Sequence, residues 1–193
     1  MDLNFKVTKM KQNILYLFLL FAAISCGENG GVAPAAGDSG CTNCRIFVSA
    51  ATSNGGIGLQ GFDDLCNADG NKPTDGSTYK ALLSSGTRNK DTADWPLRAL
   101  TSYYRLSGEK ITSTDATGVF IFNLSNSIAT FNTDCWTGLN VNMSTSTGYT
   151  CSEWSSTTGF FGNMGISDST DTYAIGGRDT GCSNARSVYC VEQ

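Results

Sequence analysis

Cysteine, carboxylate and aromatic residues are the chemistry-bearing side chains of this chain, which has no histidine at all. That absence removes the usual general base at neutral pH and the commonest metal ligand together, so Ser-His or Cys-His nucleophiles and histidine-containing zinc sites are excluded. Cys41-Thr-Asn-Cys44 has the C-x-x-C spacing of redox and zinc sites. It precedes a strand-like run instead of opening a helix, where a thiol pKa would be lowered, and no second close pair of ligands completes a zinc site. Asn67, Asp69, Asn71 and Asp75 lie within NADGNKPTDG and bear oxygens suited to calcium. An EF-hand loop would need glycine where Lys72 stands and a closing glutamate, so the sequence favours a turn in which Asn and Asp bond their own backbone. No metal and no cofactor is expected. The carboxylate pairs Asp63 with Asp64 and Asp168 with Asp171 sit in turn-like sequence and read as solvated faces, not as an acid/base couple.

Three further aromatic groups remain. Trp136 and Trp154 adjoin Cys135 and Cys151 and read as core. Phe160 and Phe161 stand in TTGFFGNMG, a glycine-flanked segment in which apolar side chains are hard to bury, and with Tyr173 they form the candidate contact surface.

These groups need elements to position them. Beyond residue 40 the chain is rich in Gly, Ser, Thr, Asn and Asp between short apolar runs, which indicates short strands and long ordered loops. Arg45 to Ala50 (RIFVSA) and Val188 to Val191 (VYCV) are strand candidates, expected side by side so that the two ends of the domain meet. Phe62 to Ala68 (FDDLCNA) carries Phe62, Leu65 and Cys66 at helical spacing between Gly61 and Asp69-Gly70. Tyr79 to Leu83, Val119 to Phe122 and Cys135 to Leu139 are further apolar runs of strand length. The expected fold class is α+β.

Residues 1–25 combine Lys6, Lys9 and Lys11 with the apolar run Ile14 to Ile24, too short to span a bilayer of about 30 Å, and read as an export signal. Ala22, Ala23 and Ser25 lead into Cys26, which resembles the lipobox of bacterial lipoproteins, although Ala23 stands where leucine is commonest. The resemblance implies cleavage before Cys26 and acylation of its thiol, which would hold the protein on a membrane of the cell envelope, with the outer membrane or cell surface as its location. Residues 26–40 hold Gly, Ala, Ser and Pro34 without an aromatic and read as a flexible tether; residues 41–193 form one domain. Segment 1–25 holds three lysines and one aspartate, so of 13 basic and 17 acidic residues 10 and 16 remain, a net charge of −6. That balance argues against a nucleic-acid partner. Exported cysteines form disulfides. With Cys26 acylated, seven cysteines remain and at least one lacks an intramolecular partner, which would permit a covalent dimer.

Read in order, CRIFVSA from Cys44, GFDDLCNADGNKP from Gly61, GSTYKALLSS from Gly76, DWPLRALTSYYR from Asp94, CWTGLN from Cys135, YTCSEW from Tyr149 and SVYCVEQ from Ser187 resemble a bacterial lipoprotein domain family of unknown function. Its fold is C-type-lectin-like, close to the endostatin domain of collagens. The resemblance implies one or two short helices, long ordered loops, and nested disulfides joining Cys66 to Cys190 and Cys151 to Cys182. Cys135 falls outside that pairing and is expected to bond Cys41 or Cys44, leaving the other free. The Glu-Pro-Asn, Gln-Pro-Asp and Trp-Asn-Asp triplets through which sugar-binding C-type lectins hold calcium do not occur here, and the zinc site of endostatin relies on absent histidines. The expected function is therefore a lipid-anchored, non-catalytic binding or adhesion module for a host matrix protein or glycan. The alternatives are a structural envelope lipoprotein without a discrete ligand, or a histidine-free enzyme using Cys41 and Cys44 or carboxylates.

Overall fold

The computed structural model describes residues 40–193; the expected signal, Cys26 and the expected tether up to residue 39 lie outside the described residues. The chain runs β1 (Asn43–Val48), α1 (Gly58–Ala68), β2 (Tyr79–Ala81), β3 (Ser102–Tyr104), β4 (Lys110–Ser113), β5 (Asp134–Trp136), a four-residue helical turn α2 (Cys151–Trp154), β6 (Phe161–Ile166), a 3-10 turn (Thr172–Ala174), β7 (Arg178–Gly181) and β8 (Ser187–Glu192). This is an α+β arrangement built on one mixed sheet of short strands.

The sheet order is β4-β3-β1-β8-β5-β6-β7, and β2 also pairs with β8. The two end segments do meet: Ile46 lies opposite Val191 and Val48 opposite Tyr189, antiparallel. β8 is buried along its whole length, because both faces of the sheet are covered. The two-residue period of a strand then divides its side chains between two cores. Ile46, Val48, Tyr189 and Val191 enter one with Trp95, Tyr103, Ile111 and Leu139. Phe47, Val188 and Cys190 enter the other with Phe62, Tyr79, Trp136 and Trp154. Phe47 and Tyr79 meet edge to face at 5.0 Å.

Helix α1 closes the free edge of β2 with side chains. Asn67 accepts from the backbone N–H of Tyr79 through Oδ1 at 2.9 Å and donates to its carbonyl through Nδ2 at 2.7 Å, while Asp63 Oδ1 accepts from the N–H of Ala81 at 2.9 Å. The segment 119–126 closes the outer edge of β4: Ile121 N donates to Ser113 O, and Ser125 N to Ile111 O. The run Val119 to Phe122 is thus not a strand. It makes one isolated bridge, Phe120 with Thr114, and otherwise serves as a cover.

Disulfides join Cys66 to Cys190, tying α1 to β8, and Cys151 to Cys182, closing the segment that contains β6 and β7. The third joins Cys41 to Cys44, and Cys135 is free and buried, so the expected bond from Cys135 to Cys41 or Cys44 does not form. Register explains the correction. Cys135 lies opposite Ser187 on β8, whereas Cys44 stands two residues before Ile46, the partner of Val191. Six residues of strand, about 20 Å, separate the two levels, against a Cα–Cα span of at most about 7 Å for a disulfide. With its thiol fully enclosed, Cys135 also offers no route to a covalent dimer.

Candidate functional site

The exposed aromatic pair sits where β6 begins. Gly162 and Met164 point inward and Phe161 points out, because the backbone of β6 lies directly on the Trp136 ring and the Cys151 sulfur. A Cβ added at Gly162 would stand 2.7 Å from Trp136 Cζ3 and 2.8 Å from Cys151 Sγ, so no residue larger than glycine fits. Phe160 and Phe161 are 45 % and 52 % exposed. With Thr157, Gly159, Cys182 and Ser183 they line a cleft of about 380 Å3.

The support behind this cleft is stiff. Cys182 N donates to Phe160 O at 3.0 Å, and the Cys151–Cys182 disulfide lies beneath it. Residues 151–154 all have φ between 51° and 61°, a left-handed helical turn made without glycine. Trp154 from this turn is fully buried against Trp136 and Phe62, at ring separations of 5.9 and 5.7 Å, and its Nε1 donates to Ser84 O. Glu153 on the same turn is exposed but accepts from Gly86 N at 2.6 Å. The cleft offers two aromatic rings, hydroxyls and backbone groups, with no charged side chain in its lining. Such a surface can hold a ligand by apolar contact and hydrogen bonding.

Tyr173 does not belong to this surface. It is 50 % exposed, but its ring packs over Gly177 near Val141. Arg178, the next residue, lies opposite Met164, three residues along β6 from Phe161. Gly177 therefore stands four residues from the level of Phe161, and the expected three-ring surface is two sites about 14 Å apart along the strand at about 3.4 Å per residue.

The carboxylates take structural roles. Asp63 is not on a solvated face: it is buried and receives Arg88 through Nη1 at 2.8 Å and Nη2 at 2.7 Å, while Arg88 Nε donates to Asp94 at 2.6 Å and Lys80 reaches the other oxygen of Asp94. Burial opposes ionisation of Asp94, but hydrogen bonds from Lys80 and Arg88 outweigh it and hold its carboxyl below the usual range. Asp168 and Asp171 are exposed. Asp168 accepts from Asn132, and Asp171 caps the 3-10 turn through Tyr173 N at 2.9 Å. Asp69 accepts from the N–H groups of Ala50, Ala51 and Asn71, a turn of the kind expected for NADGNKPTDG. Among the described residues no cluster of three or more His, Cys, Asp or Glu side chains is placed to hold a metal, and no helix is long and apolar enough to cross a membrane. Cys41, just before β1, is bonded to Cys44 inside that strand, and Cys44 is fully enclosed.

The sequence reading missed a second cleft of about 280 Å3, where the half-exposed Leu106 and Phe131 flank Ile128 and Val48 beside Arg105. The Arg105 guanidinium is committed to Ser127, through Nε to the carbonyl at 2.8 Å and Nη2 to the hydroxyl at 2.7 Å. An apolar residue in the polar stretch ATFNTD was the only signal for Phe131.

No curated protein matches the chain. A family model described as a protein of unknown function (DUF1554) matches residues 49–170, which carry α1, β2 to β6 and the left-handed turn. The match spans more than half of the sequence, and the chain belongs to that family.

Proposed function

We propose that this chain is a lipid-anchored envelope protein whose single domain, of C-type-lectin-like fold, works as a non-catalytic binding or adhesion module at the outer membrane or cell surface. Acylation of Cys26 holds it on the membrane, residues 26–40 give it reach, and the cleft beside Phe160 and Phe161 meets a host matrix protein or a glycan. The observation that carries this reading is the pairing of two half-exposed phenylalanines with a rigid mount: a disulfide, a strand ladder and a buried tryptophan lie directly behind them. A backbone held in place before binding loses little conformational entropy on binding, which is the main advantage of a preorganised contact surface. The short strands, few helices and paired ends agree with the lectin-like assignment.

The test measures binding of the full chain to immobilised matrix proteins and to a glycan array. Saturable binding that falls at least about tenfold in the double variant Phe160→Ala and Phe161→Ala supports the module, a loss of roughly 1.4 kcal/mol or more. Equal binding by the variant refutes the assignment of the face. Cys26→Ser tests the anchor: release of the protein from the membrane fraction supports acylation at Cys26, and retention refutes it.

A further inference from the structure

The end of the sheet beside the phenylalanines differs from its other free edges. β2 is closed by Asn67 and Asp63, and β4 by the segment 119–126. β7 has neither. Cys182 N donates to Phe160 O, so residues 160 and 182 form a hydrogen-bonded antiparallel pair, and the alternation of the ladder makes 162 with 180 and 164 with 178 the next bonded pairs. Asp179 and Gly181 therefore turn their N–H and C=O groups away from β6. The carbonyl of Gly181 is taken by Asn184 N at 3.0 Å, which leaves the N–H of Gly181 and both backbone groups of Asp179 directed outward.

Two side-chain features sit on this edge. Gly181 lies opposite Phe161, yet neither space nor backbone requires glycine there: an added Cβ would meet nothing nearer than Asn184 Nδ2 at 3.7 Å, and its φ is not in the left-handed region. Its effect is to leave the flank of the Phe161 ring open toward the edge. Asp179 is exposed and its carboxylate has no ion-pair partner among the described residues, whereas Arg178 is engaged with Asp134 at 3.0 Å.

We propose that β7 is a docking edge for an extended polypeptide segment of a partner protein, which adds to the sheet as a further strand, places an apolar side chain across Gly181 against Phe161, and sets a basic side chain beside Asp179. This rests on the reading of the Phe160–Phe161 face as a binding surface and names the chemistry of its partner. Strand addition draws affinity from main-chain hydrogen bonds and selectivity from alternate side chains, and this edge supplies both. The exposed charged side chains of Arg178 and Asp179 on this short strand disfavour indiscriminate self-pairing of edges.

Panning a library of random linear peptides on the full chain, with a glycan array run in parallel, gives the test. Selected peptides are expected to carry apolar residues near a lysine or arginine and to protect the amides of Asp179 and Gly181 from hydrogen exchange. Asp179→Pro removes an outward N–H without removing a ladder bond, a position where an edge strand tolerates proline. It should weaken the peptides about tenfold or more, whereas Asp179→Ala, which keeps the N–H, should weaken them only about two- to threefold. Gly181→Val, which has room in the free protein, should also block them. Selected peptides indifferent to Asp179→Pro, or glycan binding with no peptide selected, would overturn the proposal. Peptides lost with Asp179→Pro but unaffected by Phe160→Ala and Phe161→Ala would keep the edge and sink the aromatic face, so the two readings fail separately.

Discussion

Asp63→Ala should be among the most damaging single substitutions outside the apolar cores. The carboxylate side chain is 9 % exposed and its partner Arg88 4 %, and the two meet through two short hydrogen bonds. Removing Asp63 leaves the Arg88 guanidinium enclosed with only Asp94 as counter-ion, and also strips the acceptor from the N–H of Ala81. Breaking one side of a buried pair costs about 3 to 5 kcal/mol, which is a large part of the roughly 5 to 15 kcal/mol that holds a domain folded. At about 2 to 4 °C per kcal/mol for a chain of this size, the midpoint should fall by roughly 6 to 20 °C. Urea unfolding followed by tryptophan fluorescence is a suitable assay, because all three tryptophans are buried. The double variant Asp63→Leu with Arg88→Met leaves no orphaned charge. It should recover most of the loss, short by the roughly 1 to 3 kcal/mol of the unpaired Ala81 N–H. A single variant within about 1 kcal/mol of the parent, or a double variant no better than the single, would refute this account of how α1 is held.

Other outcomes follow from the same contacts. Asp94 and Glu192 both have carboxyls held below their usual range, Glu192 because Arg45 overcomes the opposing effect of burial; a lowered folded-state pKa gives stability above the unfolded pKa that disappears as pH falls, so urea midpoints should hold steady from about pH 7 to 5 and drop below about pH 4. Burial pushes the Cys135 thiol well up, so iodoacetamide should leave it unmodified in the native protein and alkylate it in urea, as read by peptide mass; rapid native labelling would refute its enclosure. Loop-closure entropy scales with sequence separation, here 124 for Cys66–Cys190, 31 for Cys151–Cys182 and 3 for Cys41–Cys44, so paired Cys→Ala variants should lose about 5, 4 and 2 kcal/mol in that order of urea stability. Gly138→Ala combines a φ of 65° with a Cβ 2.7 Å from Ser84 O, and should lower the thermal midpoint by at least about 5 °C.

The two central strands, β1 and β8, were legible in the sequence because RIFVSA and SVYCVE carry the β-branched and aromatic residues that a strand buried on both faces needs. Helix α1 was legible from Phe62, Leu65 and Cys66, though it starts four residues earlier, at Gly58. Val119 to Phe122 has the composition of a strand, but its Phe120 and Ile121 backbone groups go to Met143 Sδ and Ser113 O as the segment covers β4. Nothing local distinguishes a covering segment from a strand. The ion pair of Asp63 was invisible for a similar reason: Arg88 lies 25 residues away in a loop, and only the folded chain brings them together. The partner of Cys41 depends on register, which composition does not set. The candidate surface was half legible. The glycines around Phe160 and Phe161 did mark apolar side chains without cover, but they also concealed that Phe161 opens a strand, since Gly162 is required by the Trp136 ring beneath it.

That local conflict continues into the turn behind the site. Four consecutive non-glycine residues in left-handed conformation cost roughly 4 to 8 kcal/mol at about 1 to 2 kcal/mol each. The same four residues bring in the Cys151–Cys182 bond, worth about 4 kcal/mol by loop closure, and the Trp154 indole, whose burial of on the order of 200 Å2 contributes roughly 5 kcal/mol. The helical bonds from Trp154 N to Thr150 O and Ser155 N to Cys151 O satisfy the backbone that the turn takes out of solvent. The strain is therefore offset within the segment that carries it. A right-handed turn at the same place would direct Cys151 and Trp154 away from the Cys182 sulfur and the Trp136 ring, and the base beneath Gly162 and Phe161 would be lost. The fixed backbone of the exposed phenylalanines and the unusual turn behind them are two aspects of one arrangement.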